Sequence, residues 1–143
     1  ENPFGHIWKW ADGFLARGTG EYQEVYISRN RAKYADTIND SSVDMGHDAA
    51  ANGYVKYIRA SQQSLPQEKR VYGDLISTDD SGSSSTFFCD YHYNAHAEGT
   101  IYGALLGGAA DNDVIDGLAY LLSNLVPAHS GAYFGSRLCW SKI

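Results

Sequence analysis

Thr86-Phe-Phe-Cys-Asp-Tyr-His-Tyr93, followed after Asn94 to Gly99 by Thr100-Ile-Tyr-Gly-Ala-Leu-Leu106, is the stretch on which the fold turns. Both runs are rich in aromatic and branched apolar residues, and a polar, glycine-ended segment divides them, so two successive strands are expected. Outward from this pair the same signal recurs. Glu24 to Ser28 alternates with period two, and Ile7, Trp8 and Trp10 read as a short aromatic strand leaving a glycine turn. Gly53 to Ala60 alternates again with Tyr54, Tyr57 and Ile58 as anchors, Gly117 to Leu122 is a further candidate, and Phe134 to Trp140 closes the series. Between them, Ser77 to Ser85 has the composition of a surface loop. Asp36, Asp40, Asp44 and Asp48 are four apart in the polar stretch from Asn30 to Ala51. Like charges at that spacing destabilise a helix, so an irregular solvated segment is expected there rather than a metal site.

The composition agrees with a strand-rich chain. Eleven Tyr and 15 Gly stand against one Met, a balance that disfavours a helix bundle. A length of 143 residues fits one domain, 1–143, and 43% hydrophobic with 20% charged residues is ordinary for a packed core. The net charge of -6, with no basic run, disfavours nucleic acid as a partner, which needs clustered positive charge. No apolar run is long enough for a membrane-spanning helix, and membrane insertion is not expected. Glu1 rather than Met at the start fits the C-terminal part of a longer chain.

Side chains with chemistry are scattered. Cys89 and Cys139 lie inside expected strands and read as buried free thiols, although a single bridge between them stays open. His92 and His96 are four apart, but a strand running into a turn need not put them on one face, so surface histidines are expected rather than a metal pair. Asp111, Asp113 and Asp116 are spaced like part of a calcium loop, yet Ile115 and Leu122 occupy two ligand places. No nucleophile elbow and no phosphate-binding glycine loop is present. Neither a metal nor a cofactor is expected.

Three separated motifs carry a resemblance. Gly5-His-Ile-Trp-Lys-Trp10 is similar to the Gly-Asn-Val-Trp-Glu-Trp motif of the formylglycine-generating-enzyme (sulfatase-modifying factor) type of C-type lectin fold. Leu106-Gly107-Gly108 resembles that family's Arg-Gly-Gly stretch, and Gly135-Ser-Arg-Leu138 its terminal Gly-Phe-Arg-Leu strand. The opening residues and the run from Gly82 to Tyr91 resemble tail-associated domains of phages and prophages of gut bacteria. The resemblance implies an α+β, C-type lectin-like fold with short, twisted antiparallel sheets and much irregular structure. It also departs from the pattern. His6 and Lys9 replace Asn and Glu, Ala109-Ala110 replace Ser-Trp, and the close cysteine pair that binds copper in the enzyme branch has no counterpart.

A related branch, the variable proteins of diversity-generating retroelements, displays a C-terminal patch rewritten at template adenines. Asn codons altered in that way do not reach Lys, Glu, Gln, Met or Trp. From Gly99 to Cys139, 41 residues contain none of those five types, whereas the other 102 contain 18. Residues 99–139 are therefore the candidate variable or display region, against the alternative of a strand-rich core with little room for long polar side chains. The expected function is a receptor- or ligand-binding display domain of a phage or prophage tail protein, located on the virion tail or another extracellular surface. Its partner would be a bacterial cell-surface protein or glycan, and a homotrimer follows by analogy. The candidate contact residues are Asp111, Asp113, Asp116, Tyr120, Asn124, His129 and Tyr133, held by a scaffold of Trp8, Trp10, Phe88, Leu106 and Trp140. Two readings stand beside it: a copper enzyme with Cys89, His92, His96 or Cys139 as ligands, and a structural virion component.

Overall fold

The computed structural model describes residues 7–28, 30–67, 76–109, 115, 120–132 and 134–135. Its spine is β1 (Trp8–Gly18), whose first half lies between β8 (Ile101–Leu106) and β10 (Phe134–Gly135) and whose second half lies between β8 and β2 (Gln23–Ser28). Outward from β2 comes β3 (Ser42–His47); outward from β8 come β9 (Leu121–Leu125), β7 (Tyr91–Asn94) and β4 (Gly53–Tyr54). These eight strands form one sheet that curls toward a half-barrel. A second, two-stranded sheet pairs β5 (Tyr57–Ile58) with β6 (Ser77–Asp79).

A bulge in β1 decides how this sheet buries its side chains. Trp10 pairs with Leu105 and Leu15 with Gly103, so five steps along β1 match two along β8. The three extra residues are an odd number, and an odd insertion turns the strand's faces over. Trp8 and Trp10 consequently join Leu105, Ala109 and Tyr120 in one core cluster. Beyond the bulge, Phe14 and Ala16 join Val25, Met45, Ile76, Tyr102, Ala104 and Leu121 in the other. Alternation along β8 serves both clusters, which is why its four central residues are all buried. Gly13, with φ +81°, makes the bulge, and Gly103 leaves room for the Trp10 ring, since a Cβ there would stand 2.6 Å from Trp10 Cζ3.

Several expectations are corrected. The class is mostly β rather than α+β, and the C-type lectin-like architecture expected from the resemblance is set aside with it. The helical elements lying wholly among the described residues are two 3-10 turns, Arg31–Lys33 and Arg59–Ser61. Nor is the sheet purely antiparallel, because β1 with β10 and β7 with β9 run parallel. No helix among the described residues is long and apolar enough to cross a membrane.

The strands expected at 24–28 and 100–106 correspond to β2 and β8. The strand expected from Thr86 begins only at Tyr91. Before it the chain turns, with Phe87 at φ 63° and Cys89 at φ 59°. Cys89 is therefore an exposed thiol rather than a buried one, and Phe88, at 46% exposure, is no part of the scaffold core. Within the segment expected to be irregular, Ser42–His47 is strand β3, because its edge pairs with β2. The run expected at 53–60 divides into β4, β5 and a 3-10 turn, and the loop expected at 77–85 opens with β6. Of the strand expected at 117–122, residues 117–119 lie outside the described residues, as do 136–140 of the last one, Cys139 and Trp140 among them.

Candidate functional site

Two polar constellations emerge, and neither is built from the candidate contact residues between Asp111 and Tyr133. The first is sealed. On β7 the period-two alternation buries His92 and Asn94 fully, while Tyr93 is exposed and Tyr91, on the other face, packs half-buried against the Trp8 and Tyr120 cluster. His92 is 1% exposed, and its Nδ1 lies 2.7 Å from Asp80 Oδ2, which fixes that nitrogen as the donor to a carboxylate. Its Nε2 faces Asp48 Oδ2 at 3.7 Å and makes no hydrogen bond.

Asp48, 3% exposed, accepts from the Gln23 backbone N–H at 2.8 Å and from Asn94 Nδ2 at 2.7 Å. Ser77 Oγ donates to the other oxygen of Asp80. The Gln23 amide donates to the carbonyls of Ala95 and Ser123 and accepts from Ser123 Oγ. His96 Nε2 donates to Asn94 Oδ1 at 2.7 Å, so this histidine is not a free surface group. Burial pushes the Asp48 carboxyl above its ordinary range, while His92 and the donated hydrogen bonds pull it back.

Chemically this is a tether. The hydroxyl of Ser77 rests on a carboxylate rather than on the imidazole, so the histidine is not placed to take its proton and no activated nucleophile results. What the cluster does is join β2, β6, β7 and β9 with the residue following β3, and so fasten the small sheet to the large one. Asp48 and Asn94 are 46 residues apart and Gln23 and Ser123 are 100 apart, which is why local pattern did not reveal the cluster. The polar His-x-Asn pair at period two on an otherwise aromatic strand was the available signal.

The second constellation is open. At the β1 bulge a cleft of about 360 Å³ is lined by Trp10, Asp12, Phe14, Leu15, Gly103 and Pro127 and, from the loop after the first 3-10 turn, by Tyr34 to Asp36. Phe14 and Leu15 are buried, Trp10 is half-buried, and Tyr34 is 38% exposed. Tyr34 seats against Gly13, where a Cβ would stand 2.7 Å from its Cε1. Asp12 and Asp36 are exposed at the same cleft. The local signal was Asp12-Gly13 inside an apolar strand, a pair that favours a bulge or turn.

The sequence-based candidates divide. His129 is exposed; its ring meets Phe134 edge-on at 5.3 Å, and Phe134 lies 6.0 Å from Trp10, so His129 belongs to the aromatic row leading into the cleft. Asn124 is half-buried on β9, with Oδ1 buried and without a hydrogen-bond partner. Tyr120 is corrected to a core residue: it is 4% exposed and packs edge-on against Trp8 at 4.8 Å and Tyr91 at 5.8 Å. Asp111, Asp113, Asp116 and Tyr133 lie outside the described residues. The ligands of the copper reading are not gathered, since Cys89 is exposed while His92 is enclosed between two carboxylates. Among the described residues no group of three or more His, Cys, Asp or Glu side chains is disposed to hold a metal ion. In comparisons with known proteins, no family model, curated protein or solved structure matches the chain.

Proposed function

We propose that the chain is a receptor-binding domain of a phage or prophage tail protein that recognises a bacterial surface protein or glycan by surface complementarity, with a display region diversified by a retroelement. The observation that carries the binding reading is the cleft at the β1 bulge, whose wall includes Pro127 and whose aromatic row ends at His129, both inside the 99–139 segment. Recognition sites of this kind combine a few rigid rings with exposed polar groups on a firm sheet, and Trp10, Phe14 and Tyr34 with Asp12 and Asp36 meet that description. The opening residues and the run from Gly82 to Tyr91 supply the biological setting by resemblance.

The test is competition. Purified chain should block attachment of the parent phage to a susceptible host, and alanine scanning through Asp111 to Tyr133 should weaken that block, with His129→Ala among the affected variants. Undiminished competition across the whole scan would remove the display reading. A reverse transcriptase and a near-identical repeat of the 106–140 coding region beside the gene would support diversification; a gene lacking both would remove that part alone.

A structural role in the virion is favoured by a different observation. Phe87 and Phe88 are 59% and 46% exposed, Phe87 lies beside Tyr57, and Lys56 Nζ stands over both the Tyr57 and Phe87 rings. A face of that kind suits contact with a neighbouring chain. Under that reading a Phe87→Ser/Phe88→Ser variant would sediment as a smaller species than the native chain; identical sedimentation would dismiss it.

A further inference from the structure

We infer that the cleft at the β1 bulge takes the cationic side chain of a partner protein, an arginine or lysine entering between Trp10 and Tyr34. The inference rests on the binding reading above and deepens it by naming the ligand's charge and chemistry. Its basis is the lining. Phe14, Leu15 and Gly103 give an apolar interior, Trp10 and Tyr34 give ring surfaces, and Asp12 and Asp36 are exposed carboxylates at the same opening.

Among the described residues, no Lys, Arg or His lines this cleft. Lys33, next in sequence to Tyr34, is held by Asp40 at 2.6 Å. Neither Asp12 nor Asp36 has an ion-pair partner among the described residues. An acidic ligand would be repelled by both carboxylates and by the chain's net charge of -6. A neutral sugar would gain stacking but leave both negative charges uncompensated. A basic side chain satisfies every feature together: its apolar stem covers Phe14 and Leu15, its cation is attracted to the ring faces, and its N–H groups meet the carboxylates. The planar guanidinium of arginine stacks as well as donates, which places it ahead of lysine.

The Tyr34 wall depends on Gly13. With φ +81° and the ring seated on its Cα, this position lets loop 34–36 close one side of the cleft. The site is therefore built by the same bulge that reverses the faces of β1.

The probes are acetyl-Gly-Arg-Gly-amide and acetyl-Gly-Lys-Gly-amide, with the citrulline peptide as neutral isostere and methyl glycosides as the sugar arm. Titration to millimolar concentration is followed by NMR of the Trp10 indole and the Tyr34 ring. The arginine peptide should shift both signals. The citrulline peptide, and the arginine peptide on an Asp12→Asn/Asp36→Asn variant with an unchanged melting temperature, should bind roughly tenfold more weakly. Equal affinity for the arginine and citrulline peptides would overturn the inference, and so would the absence of any shift with either basic peptide. Glycosides that shift the cleft signals while both peptides do not would overturn it too, yet would leave the cleft standing as a recognition site. Loss of the binding reading itself has a separate signature: attachment competition that survives Tyr34→Ala.

Discussion

The sealed cluster around His92 and the open cleft around Tyr34 use the same chemistry, two carboxylates and a ring system, to opposite ends. In the first, Asp48 and Asp80 are removed from water and accept from the Gln23 backbone N–H, Asn94, Ser77 and His92, so their charge is spent inside the fold. In the second, Asp12 and Asp36 remain in water beside rings that are only partly covered, so their charge is available to something that arrives. The difference teaches that a histidine between two aspartates is not by itself a site of chemistry. Exposure, rather than residue type, separates the tether from the candidate site.

The comparison breaks most visibly if His92 is removed. His92→Ala leaves buried Asp80 without its ring donor and cuts the link between β6 and β7, and breaking a buried pair of this kind costs about 3–5 kcal/mol. Urea unfolding should show that loss; a cost below about 1 kcal/mol would mean that the cluster is not what joins the sheets.

A smaller effect is expected at the bulge. Gly13→Ala places a methyl against Tyr34 in a left-handed conformation, costing about 1–2 kcal/mol and displacing the ring from the cleft wall. The matching measurement is a thermal melt combined with peptide titration, in which stability falls modestly while affinity for the arginine peptide falls more sharply.

The subtlest effect is pH dependence. The folded state holds the Asp48 proton more tightly than the unfolded chain does, because burial raises its carboxyl from the ordinary value of 3.8. Its contribution to stability is therefore fully present below that value and is lost as pH rises through the raised one. Asp79 runs the other way, since hydrogen bonds from Ser81 lower it, but its side chain is 35% exposed and its effect is screened by solvent. Asp48→Asn removes the first term, so the native chain's stability relative to that variant should decline as pH rises above the ordinary value of 3.8 and through the raised one. A difference that grows over this range would show that the carboxylate is stabilised rather than desolvated.

How much of this was legible in the sequence depends on where each residue's partners come from. β2 was legible because its residues alternate with period two, and β8 because its aromatic and branched apolar run suits a strand buried on both faces. β3 was not, since Asp44 and the polar residues around it form a strand only because β2 lies beside them. The aromatic run at 86–90 misled for the converse reason: Phe87 and Phe88 have strand-forming side chains but positions in a turn. Helices were expected from a resemblance in short motifs, and such motifs do not specify the elements between them. At the candidate site, His129 and the turn bearing Pro127 were within reach of the display segment, whereas Trp10, Tyr34 and Asp36 meet only through the fold.

Attachment competition by Tyr34→Ala, measured beside the native chain and beside a folded His92→Gln variant, tests the division of labour most directly. Tyr34 is exposed, so its loss should shift stability by less than about 0.5 kcal/mol. The account predicts that Tyr34→Ala keeps its melting temperature and loses at least roughly tenfold in competition, while His92→Gln loses stability and competes like the native chain wherever it is folded. Native competition by Tyr34→Ala, or its loss in folded His92→Gln, would contradict the account.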